Sequence, residues 1–221
     1  MKKNLFLALC LIALSPLCLM AETIPANDSR VVFVGRTAVD GTSVSFDWTA
    51  TYFRIAFSGQ SLTMKASETK WDADADKAAT RHNYYNVWID SPTSAEPHRI
   101  IEVAGNDTVI ELVDPLYLKK SRRSVHEVIV QKRTEGEQGK TTIHEFTTNG
   151  KFFEAQRLKE RQLEFIGDSY TCGYGIDAPS RKDRFTPETE NASRSYAGIV
   201  SRYFDADYVA IAHSGMGIAR N

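Results

Sequence analysis

The sequence has no apolar run of membrane-spanning length, since the run at 5–14 is interrupted by Ser15-Pro16. Lysines at positions 2 and 3 precede this run, and a cleavage point fits after Ala21. A basic start, a short apolar run and a small residue in this order are typical of a secretory signal. We therefore predict a signal peptide at 1–21 and an exported protein, periplasmic or extracellular.

Cysteine is scarce, and charge of neither sign dominates. Cys10 and Cys18 lie in the predicted signal, so Cys172 alone remains in the mature chain and no internal disulfide forms. A lipid anchor on Cys18 is the alternative to cleavage after Ala21. We expect no other contact with a membrane. The formal net charge is −1. The basic pairs Arg122-Arg123 and Lys132-Arg133 are interpreted as solvated strand faces, so we expect no nucleic-acid partner.

Residues 30–148 have the alternating pattern of short β-strands. The segments with this pattern are 31–34, 43–48, 52–57, 61–66, 85–89, 99–103, 108–113, 125–132 and 142–147. Short strands at this spacing predict a jelly-roll β-sandwich over 22–148. The connections are interpreted as a hairpin joining 52–57 to 61–66 through Ser58-Gly59, a hairpin turn at Gly105-Asn106-Asp107, an exposed loop at 71–80 and a helical turn at 115–120.

Beyond residue 148 the pattern changes to strand, helix and strand. Residues 149–160 are predicted as a linker with a short helical part. Apolar runs at 163–166 and 207–212 predict two strands, with a helix over 191–204 between them. The helix would bury one apolar face, formed by Tyr196, Ile199, Val200 and Tyr203.

One strand-helix-strand unit begins a parallel sheet that is covered by helices. Two parallel strands alone lack the burial on both faces that such a sheet needs. We therefore expect residues 161–221 to be an incomplete domain, and the chain after about Glu160 to aggregate or to be partly disordered.

The most informative segment is Gly167-Asp168-Ser169-Tyr170-Thr171-Cys172-Gly173-Tyr174-Gly175, directly after the apolar run at 163–166. A strand that ends in a tight Gly-Asp-Ser turn exposes one hydroxyl among free backbone N–H groups. A serine nucleophile needs this arrangement, because nearby amides stabilise the oxyanion that forms on the attacked carbonyl. We interpret Ser169 as a nucleophile; the alternative is a turn or helix-capping serine. Cys172 is interpreted as a small residue packed behind the turn; a cysteine nucleophile is the alternative, but Ser169 has the better position.

The turn at 167–169 with Thr171 and Gly173 resembles the first motif of the SGNH, or GDSL, hydrolases. Ala212-His213-Ser214-Gly215-Met216-Gly217 resembles their second motif. A β-rich region precedes both, with Tyr84-Tyr85-Asn86-Val87-Trp88-Ile89-Asp90 and Lys132-Arg133-Thr134-Glu135-Gly136. This order resembles carbohydrate esterase family 2, whose members pair a jelly-roll domain with an SGNH domain and remove O-acetyl groups from plant polysaccharides.

The resemblance implies a fold of class β + α/β. A jelly-roll β-sandwich at 22–148 and a linker at 149–160 would precede the truncated start of a flavodoxin-like α/β/α SGNH hydrolase domain at 161–221. Ser169 would be the nucleophile, and the N–H groups of Ser169 and Gly215 would form the oxyanion hole, with Gly217 as the alternative donor. No metal and no organic cofactor is implied. Substrate-binding residues and oligomeric state stay unknown.

Two elements of the family pattern are not found up to residue 221: the third-motif asparagine and the general-base histidine. Without a base, the Ser169 hydroxyl stays protonated at neutral pH. His213 is the alternative base, since it ends the second strand. The other histidines lie in the β region without metal-ligand spacing: His82, His98, His126 and His144. We expect the chain as written to be an inactive N-terminal part.

The predicted function is that of an exported serine esterase whose partner is an acetylated plant polysaccharide, xylan or mannan. A non-catalytic carbohydrate-binding β-sandwich is the alternative, and a lipase or thioesterase is a third hypothesis. Four aromatic residues are candidates for a sugar-stacking platform or for core packing: Trp71, Tyr84, Tyr85 and Trp88.

Overall fold

The computed structural model describes residues 21–70, 82–94 and 96–217. The predicted signal except for Ala21, and the predicted loop at 71–80 with Trp71, lie outside these ranges. No helix within the described ranges is long and apolar enough to cross a membrane.

The described residues form fourteen strands and three short α-helices. The strands are β1 (Glu22–Pro25), β2 (Val32–Val34), β3 (Ala38–Asp40), β4 (Ser43–Phe46), β5 (Tyr52–Phe57), β6 (Leu62–Thr69), β7 (Asn83–Ile89), β8 (Arg99–Val103), β9 (Thr108–Glu111), β10 (His126–Lys132), β11 (Lys140–Thr148), β12 (Phe152–Phe153), β13 (Arg161–Gly167) and β14 (Ala206–Ala212). The helices are α1 (Pro115–Lys120), α2 (Ser169–Cys172) and α3 (Tyr196–Tyr203), and single 3₁₀ turns lie at Gly136–Gln138, Pro187–Thr189 and Ala192–Arg194.

Two antiparallel sheets form the β-rich region and share one hydrophobic core. The first sheet has the order β3-β4-β11-β6-β9, with β1 also paired to β11. The second has the order β12-β5-β10-β7-β8, with β2 also paired to β5. Side chains from both sheets meet between them, among them Met64 and Phe146 of the first sheet and Phe53 and Val87 of the second. Two stacked sheets agree with the predicted sandwich, while the jelly-roll assignment stays a prediction.

The two predicted hairpins are wrong, because each connection crosses from one sheet to the other. Strand β5 belongs to the second sheet and β6 to the first. The turn between them is held by Asn149, whose Oδ1 accepts the amides of Gln60 and Ser61 at 2.7 and 3.2 Å. The Gly105–Asp107 turn likewise joins β8 of the second sheet to β9 of the first. The helical turn at 115–120 is confirmed as α1, which the Asp114 side chain caps.

Residues 161–217 cover the outer face of the second sheet. Strands β13 and β14 pair in parallel, with Arg161 opposite Ala206 and Gly167 opposite Ala212. A second hydrophobic cluster joins the two parts: Val34, Ala50 and Tyr52 from the β-rich region, and Ala192, Ala197, Tyr208 and Ala210 from the later segment. The sandwich therefore buries one side of the parallel pair. The expectation of disorder after Glu160 treated the two strands alone, without this contact.

The helix between β13 and β14 differs from the predicted one in length and in its buried face. A 3₁₀ turn at 192–194 precedes α3, and the extended backbone of Ser195 separates them. The buried positions of α3 are small: Ala197, Gly198 and Ser201. Their size matters, because a Cβ on Gly198 would lie 2.3 Å from the Ser193 carbonyl oxygen. The predicted apolar face is exposed instead at Tyr196, Ile199 and Tyr203.

The predicted linker at 149–160 is partly integrated into the sandwich. Strand β12 pairs with β5, and the Ala155 amide donates to the Arg30 carbonyl at 3.1 Å. The short helical part predicted there is not found, since residues 154–160 form neither helix nor strand.

Candidate active site

Ser169 is the first residue of α2, directly after β13 ends at Gly167. Asp168 caps this helix, since its Oδ1 accepts the Tyr170 amide at 3.0 Å. Gly173 ends the helix in the left-handed conformation, with φ +75°. Ser169 is partly exposed. Asp168 therefore has the structural turn role, and the hydroxyl beside it lies at the carboxyl edge of a parallel strand, where α/β folds place their ligands.

Glycine is required at positions 167 and 173, because a side chain at either position would clash with neighbouring atoms. A Cβ on Gly167 would lie 2.1 Å from the Thr171 Oγ1, which hydrogen-bonds the Tyr196 hydroxyl at 2.8 Å. A Cβ on Gly173 would lie 2.3 Å from the Asn191 carbonyl oxygen. The Gly-Asp-Ser-x-Thr-x-Gly spacing is thus explained by a cap, a side-chain contact and a left-handed helix end.

The segment after β14 lies beside this turn. The His213 amide donates to the Gly167 carbonyl at 3.3 Å, which extends the parallel pairing by one residue. Gly215 follows with φ +78°, and Gly217 lies two residues further along the same exposed loop. None of the hydrogen bonds between described residues uses the amide of Ser169 or of Gly215. Both predicted oxyanion donors therefore keep an open N–H at neighbouring strand ends.

His213 has other contacts than the nucleophile. Its Nδ1 lies 2.8 Å from the Ser214 carbonyl oxygen, and its Nε2 lies 3.7 Å from Glu137 Oε1. No hydrogen bond within the described ranges joins a histidine to Ser169. The remaining four histidines lie in the sandwich with partners of their own: Glu68 for His82, the Ile89 amide for His98, Asp90 for His126, and Ser43 and Ser67 for His144.

Arg133, which follows β10, connects the sandwich to the loop between α2 and α3. Its guanidinium donates to Asn86 Oδ1 and Asp177 Oδ2 at 2.7 Å each, and to the carbonyls of Glu188 and Glu190 at 2.8 and 3.1 Å. Arg133 is 2% exposed. The interpretation of Lys132-Arg133 as a solvated pair is therefore wrong, whereas Arg122 and Arg123 are exposed.

Lys132, Glu135, Cys172 and Glu190 form a buried group behind the nucleophile turn, here called the Glu135 cluster. Glu135 Oε2 accepts the Ser214 amide at 2.6 Å, and the Cys172 thiol lies 3.7 Å from the same oxygen. Glu190 Oε2 accepts the Glu135 amide at 3.0 Å. The Lys132 ammonium donates to the carbonyls of Asp47, Thr134 and Glu135 at 2.8–2.9 Å. One sandwich segment thus reaches both α2 and the loop after β14.

The charges of the Glu135 cluster are strongly perturbed. Burial and the neighbouring Glu135 carboxylate raise the pKa of Glu190 well above its usual range. Burial also lowers the pKa of Lys132 to about 8. Burial and the nearby carboxylates raise the pKa of Cys172, so this residue stays a thiol and packs behind the turn.

Glu135, Cys172 and Glu190 are also the group within the described ranges that could hold a metal ion, since their ligand atoms lie within 4.8 Å of one another. The Lys132 ammonium already supplies a cation to this buried group. Because a second cation would be repelled by that ammonium, the set fits internal neutralisation better than metal binding.

A second polar group, here called the Asp207 cluster, joins the same two parts of the chain at the opposite end of β14. It consists of Tyr52, Arg54, Lys159 and Asp207. The Tyr52 hydroxyl and the Lys159 amide donate to the Asp207 carboxylate at 2.6 and 2.8 Å, and Arg54 forms a buried ion pair with it. Burial acts to raise the pKa of Asp207, but the hydrogen bonds from Arg54 and Tyr52 hold it below its usual value.

The aromatic residues proposed for sugar stacking do not form a platform within the described ranges. Tyr85 and Trp88 are buried, and Tyr84 donates its hydroxyl to Glu188 Oε1 at 2.8 Å. Trp71 lies outside the described residues.

Sequence reasoning missed Arg133, Glu135 and Glu190. One signal was available, because consecutive strand residues point to opposite faces. Adjacent Lys132 and Arg133 at the end of a strand therefore could not both face solvent if either face was covered.

Comparison with known proteins identifies relatives for most of the chain. The family model described as "Carbohydrate esterase 2 N-terminal" matches residues 33–155. An acetylxylan esterase / glucomannan deacetylase from Cellvibrio japonicus is 31% identical over 213 residues, which cover 90% of this chain and 50% of the relative. The chain thus spans about half the length of this curated relative.

Solved structures show the same likeness. A family two carbohydrate esterase from Cellvibrio japonicus has a TM-score of 0.76 at 24% identity, and the match covers 91% of this chain and 55% of that one. A family two carbohydrate esterase from Clostridium thermocellum, in complex with cellohexaose, has a TM-score of 0.72 at 27% identity, covering 86% of this chain and 53% of that one.

Proposed function

The chain belongs to carbohydrate esterase family 2, and we propose that Ser169 is the nucleophile of an exported esterase that removes O-acetyl groups from plant polysaccharides such as xylan or mannan. One observation carries this proposal. The Ser169 hydroxyl lies at the end of β13, and its own amide and that of Gly215 have no partner among the described residues. The similarity to an acetylxylan esterase / glucomannan deacetylase supports the substrate class.

The reaction is an acyl transfer. Ser169 Oγ attacks the acetyl carbonyl, and its hydroxyl proton passes through a base to the leaving sugar oxygen. Water then attacks the acyl-enzyme, which releases acetate and restores the Ser169 hydroxyl. The amides of Ser169 and Gly215 receive the oxyanion, and each such donor is typically worth about 3–4 kcal/mol in the transition state.

Activation of Ser169 requires a base, and the five histidines of this sequence have other partners. His213 follows β14 beside the nucleophile turn, but its ring contacts Ser214 and Glu137. We therefore propose that the 221-residue chain has an assembled nucleophile turn without an activating base, so that its own turnover is close to background.

Chemical rescue by imidazole tests this proposal with the chain as it exists. Acetate release from acetylated xylan and from a small aryl acetate would be measured with rising imidazole concentration. The native chain, Ser169→Ala and Ser29→Ala would be compared, since Ser29 is an exposed sandwich residue without a role in the turn. Imidazole also hydrolyses esters by itself, and Ser169→Ala measures that background.

The expected result is a rate that saturates with imidazole in the native and Ser29→Ala proteins and stays at background in Ser169→Ala. Full activity without imidazole that is lost in Ser169→Ala would support the nucleophile and contradict the missing base. Equal rates in all three proteins at every imidazole concentration would contradict the esterase assignment of Ser169.

Carbohydrate binding without catalysis is the second candidate. The observation that favours it is the solved relative bound to cellohexaose. Calorimetric titration with xylohexaose and cellohexaose would test it. Unchanged affinity in Ser169→Ala, together with no rescue by imidazole, would favour a binding role.

Export is part of the proposal and has a separate test. N-terminal sequencing of the protein from the culture medium or periplasm should begin at Glu22. A protein retained in the cytoplasm with Met1 in place would contradict export.

A further inference from the structure

Glu135 comes from the sandwich, yet it contacts both segments that carry the predicted oxyanion donors. Its Oε2 accepts the Ser214 amide at 2.6 Å, and Ser214 is adjacent to Gly215. The Cys172 thiol donates to the same oxygen at 3.7 Å, and Cys172 lies on α2, which begins at Ser169. A single carboxylate oxygen therefore joins the two backbone segments whose amides would bind the oxyanion.

We propose that Glu135 is a positioning residue that sets the separation between the Ser169 and Gly215 amides. The inference rests on the proposed function, because it concerns the oxyanion hole of that reaction. If Glu135 has this role, the sandwich contributes to catalysis. A change in this side chain of the β-rich region should then alter transition-state binding at Ser169.

The backbone of Glu135 is itself held firmly. Its amide donates to Glu190 Oε2 at 3.0 Å, and its carbonyl accepts the Lys132 ammonium at 2.9 Å. The side chain is 0% exposed. Hydrogen bonds to an ionised acceptor are about twice as strong as neutral ones, and burial removes the competing water. The Glu135 backbone is thus anchored on the sandwich side and Oε2 is bonded on the hydrolase side, while the buried Oε1 has no hydrogen-bond partner among the described residues.

The backbone hydrogen bonds of the loop after β14 lie on either side of Gly215. Beyond the His213 amide, its described backbone bond is from the Met216 amide to the His213 carbonyl at 3.2 Å, which is internal to the loop. Gly215 has φ +78°, and nothing lies within 4 Å of the place where its Cβ would be. Ser214 is therefore the contact next to Gly215 through which the sandwich holds this loop, in addition to the His213 ring beside Glu137.

The test compares Glu135→Ala and Glu135→Gln with Asp207→Asn. Asp207 joins the same two parts of the chain but contacts neither Ser214 nor α2. It therefore serves as a control for general loosening of the interface. Two quantities are measured in folded protein at one temperature: the imidazole-rescued, Ser169-dependent kcat and KM, and the hydrogen-exchange rate of the Ser214 amide.

Glu135→Ala should lower the rescued kcat about a hundredfold with little change in KM, since misplacing an oxyanion donor costs what removing one costs. The Ser214 amide should exchange at least tenfold faster in the same variant. Glu135→Gln keeps an acceptor oxygen and should show a smaller loss in both measurements. Asp207→Asn should leave the rescued kcat within about threefold of the native chain.

A rescued kcat in Glu135→Ala that falls no further than in Asp207→Asn would overturn the proposal. If the native chain shows no Ser169-dependent turnover, the proposed function fails, and hydrogen exchange alone tests the contact: an unchanged exchange rate of the Ser214 amide in Glu135→Ala would then overturn the proposal. If Glu135→Ala does not fold, Glu135→Gln supplies both readouts.

Discussion

The two sheets of the sandwich are built from similar alternating sequences but have different surroundings. In the first sheet, β6 alternates buried and partly exposed positions along most of its length. In the second, all six residues of β5 are buried, because residues 161–217 cover its outer face. Polar residues at alternate positions thus face solvent on one sheet and form the interface on the other. An alternating pattern identifies a strand, but not what covers its polar face.

The largest expected effect is the loss of the Arg133 contacts. Arg133→Met removes a buried guanidinium, so Asn86 Oδ1 and the Glu188 and Glu190 carbonyls lose this donor, while Asp177 keeps Asn191 and Arg194 as partners. Breaking one side of a buried polar network typically costs about 3–5 kcal/mol. We expect the free energy of unfolding, measured in urea, to fall by that amount. Tryptic cleavage after Lys159 and after Arg161 should become faster.

The matched control for Arg133→Met lies on the first sheet. Lys65 of β6 pairs with Asp107 at 3.2 Å, and both side chains are exposed, at 36% and 66%. Lys65→Met should change the free energy of unfolding by less than about 1 kcal/mol. Equal losses in the two variants would contradict the comparison between the sheets.

Asp207→Asn tests the other polar cluster of the second sheet. The amide leaves the Arg54 charge buried without a counter-ion, and we expect a loss of about 2–4 kcal/mol at pH 7. Since the folded-state pKa of Asp207 is lowered, its contribution is present above its usual value of 3.8 and is lost as the pH falls below it. The native chain should therefore lose more stability than the variant between pH 5 and pH 3.

That comparison is made by thermal unfolding at several pH values. An equal acid loss in the native chain and in Asp207→Asn would show that this carboxylate does not contribute to acid unfolding.

Local sequence patterns predicted a large part of the fold. The bounds of β5 and β8 agree with the predicted segments, and the parallel strands after residue 160 were found where apolar runs indicated. Very short strands such as β3 and β12 were missed, because two or three residues do not establish an alternation. Which strand pairs with which was also missed: Glu22 of β1 lies opposite Thr148 of β11, and no local pattern encodes that pairing.

Of the candidate site, only the part that lies after residue 160 was predicted; the contribution of the sandwich was not. The Gly-Asp-Ser spacing identified the turn, since its capping and close contacts are local along the chain. Glu135 and Arg133 were missed because their side-chain partners lie 37 or more residues away and their charge suggested solvent. The buried face of α3 was wrong for a related reason: close approach selected Ala197 and Gly198 over the larger apolar residues.

A smaller effect is expected for Glu190→Gln, which should change how the stability of the second sheet's interface depends on pH. Since the folded-state pKa of Glu190 is raised, protonation favours the folded state, and stability falls as the pH rises above the usual value of 4.5. Glutamine resembles the protonated form and does not titrate. The variant should therefore become more stable relative to the native chain as the pH rises from 5 to 8.

Thermal unfolding at both pH values measures this difference. Glu154→Gln is the control, since Glu154 is exposed and lies outside both clusters. The interpretation would fail if Glu190→Gln and Glu154→Gln showed the same pH dependence.

The smallest effect is expected on the open face of the first sheet. Thr142 of β11 hydrogen-bonds Ser45 of β4 at 2.9 Å across that face, where both side chains are partly exposed. Cross-strand pairs of this kind contribute about 0.2–1 kcal/mol, so Thr142→Ala should cost about 0.5 kcal/mol in urea unfolding. Thr141, next along the same strand, is buried and accepts the Tyr85 hydroxyl at 2.6 Å, so Thr141→Ala should cost clearly more. Similar losses at both positions would mean that the first sheet is covered as well, and the contrast between the two sheets would no longer hold.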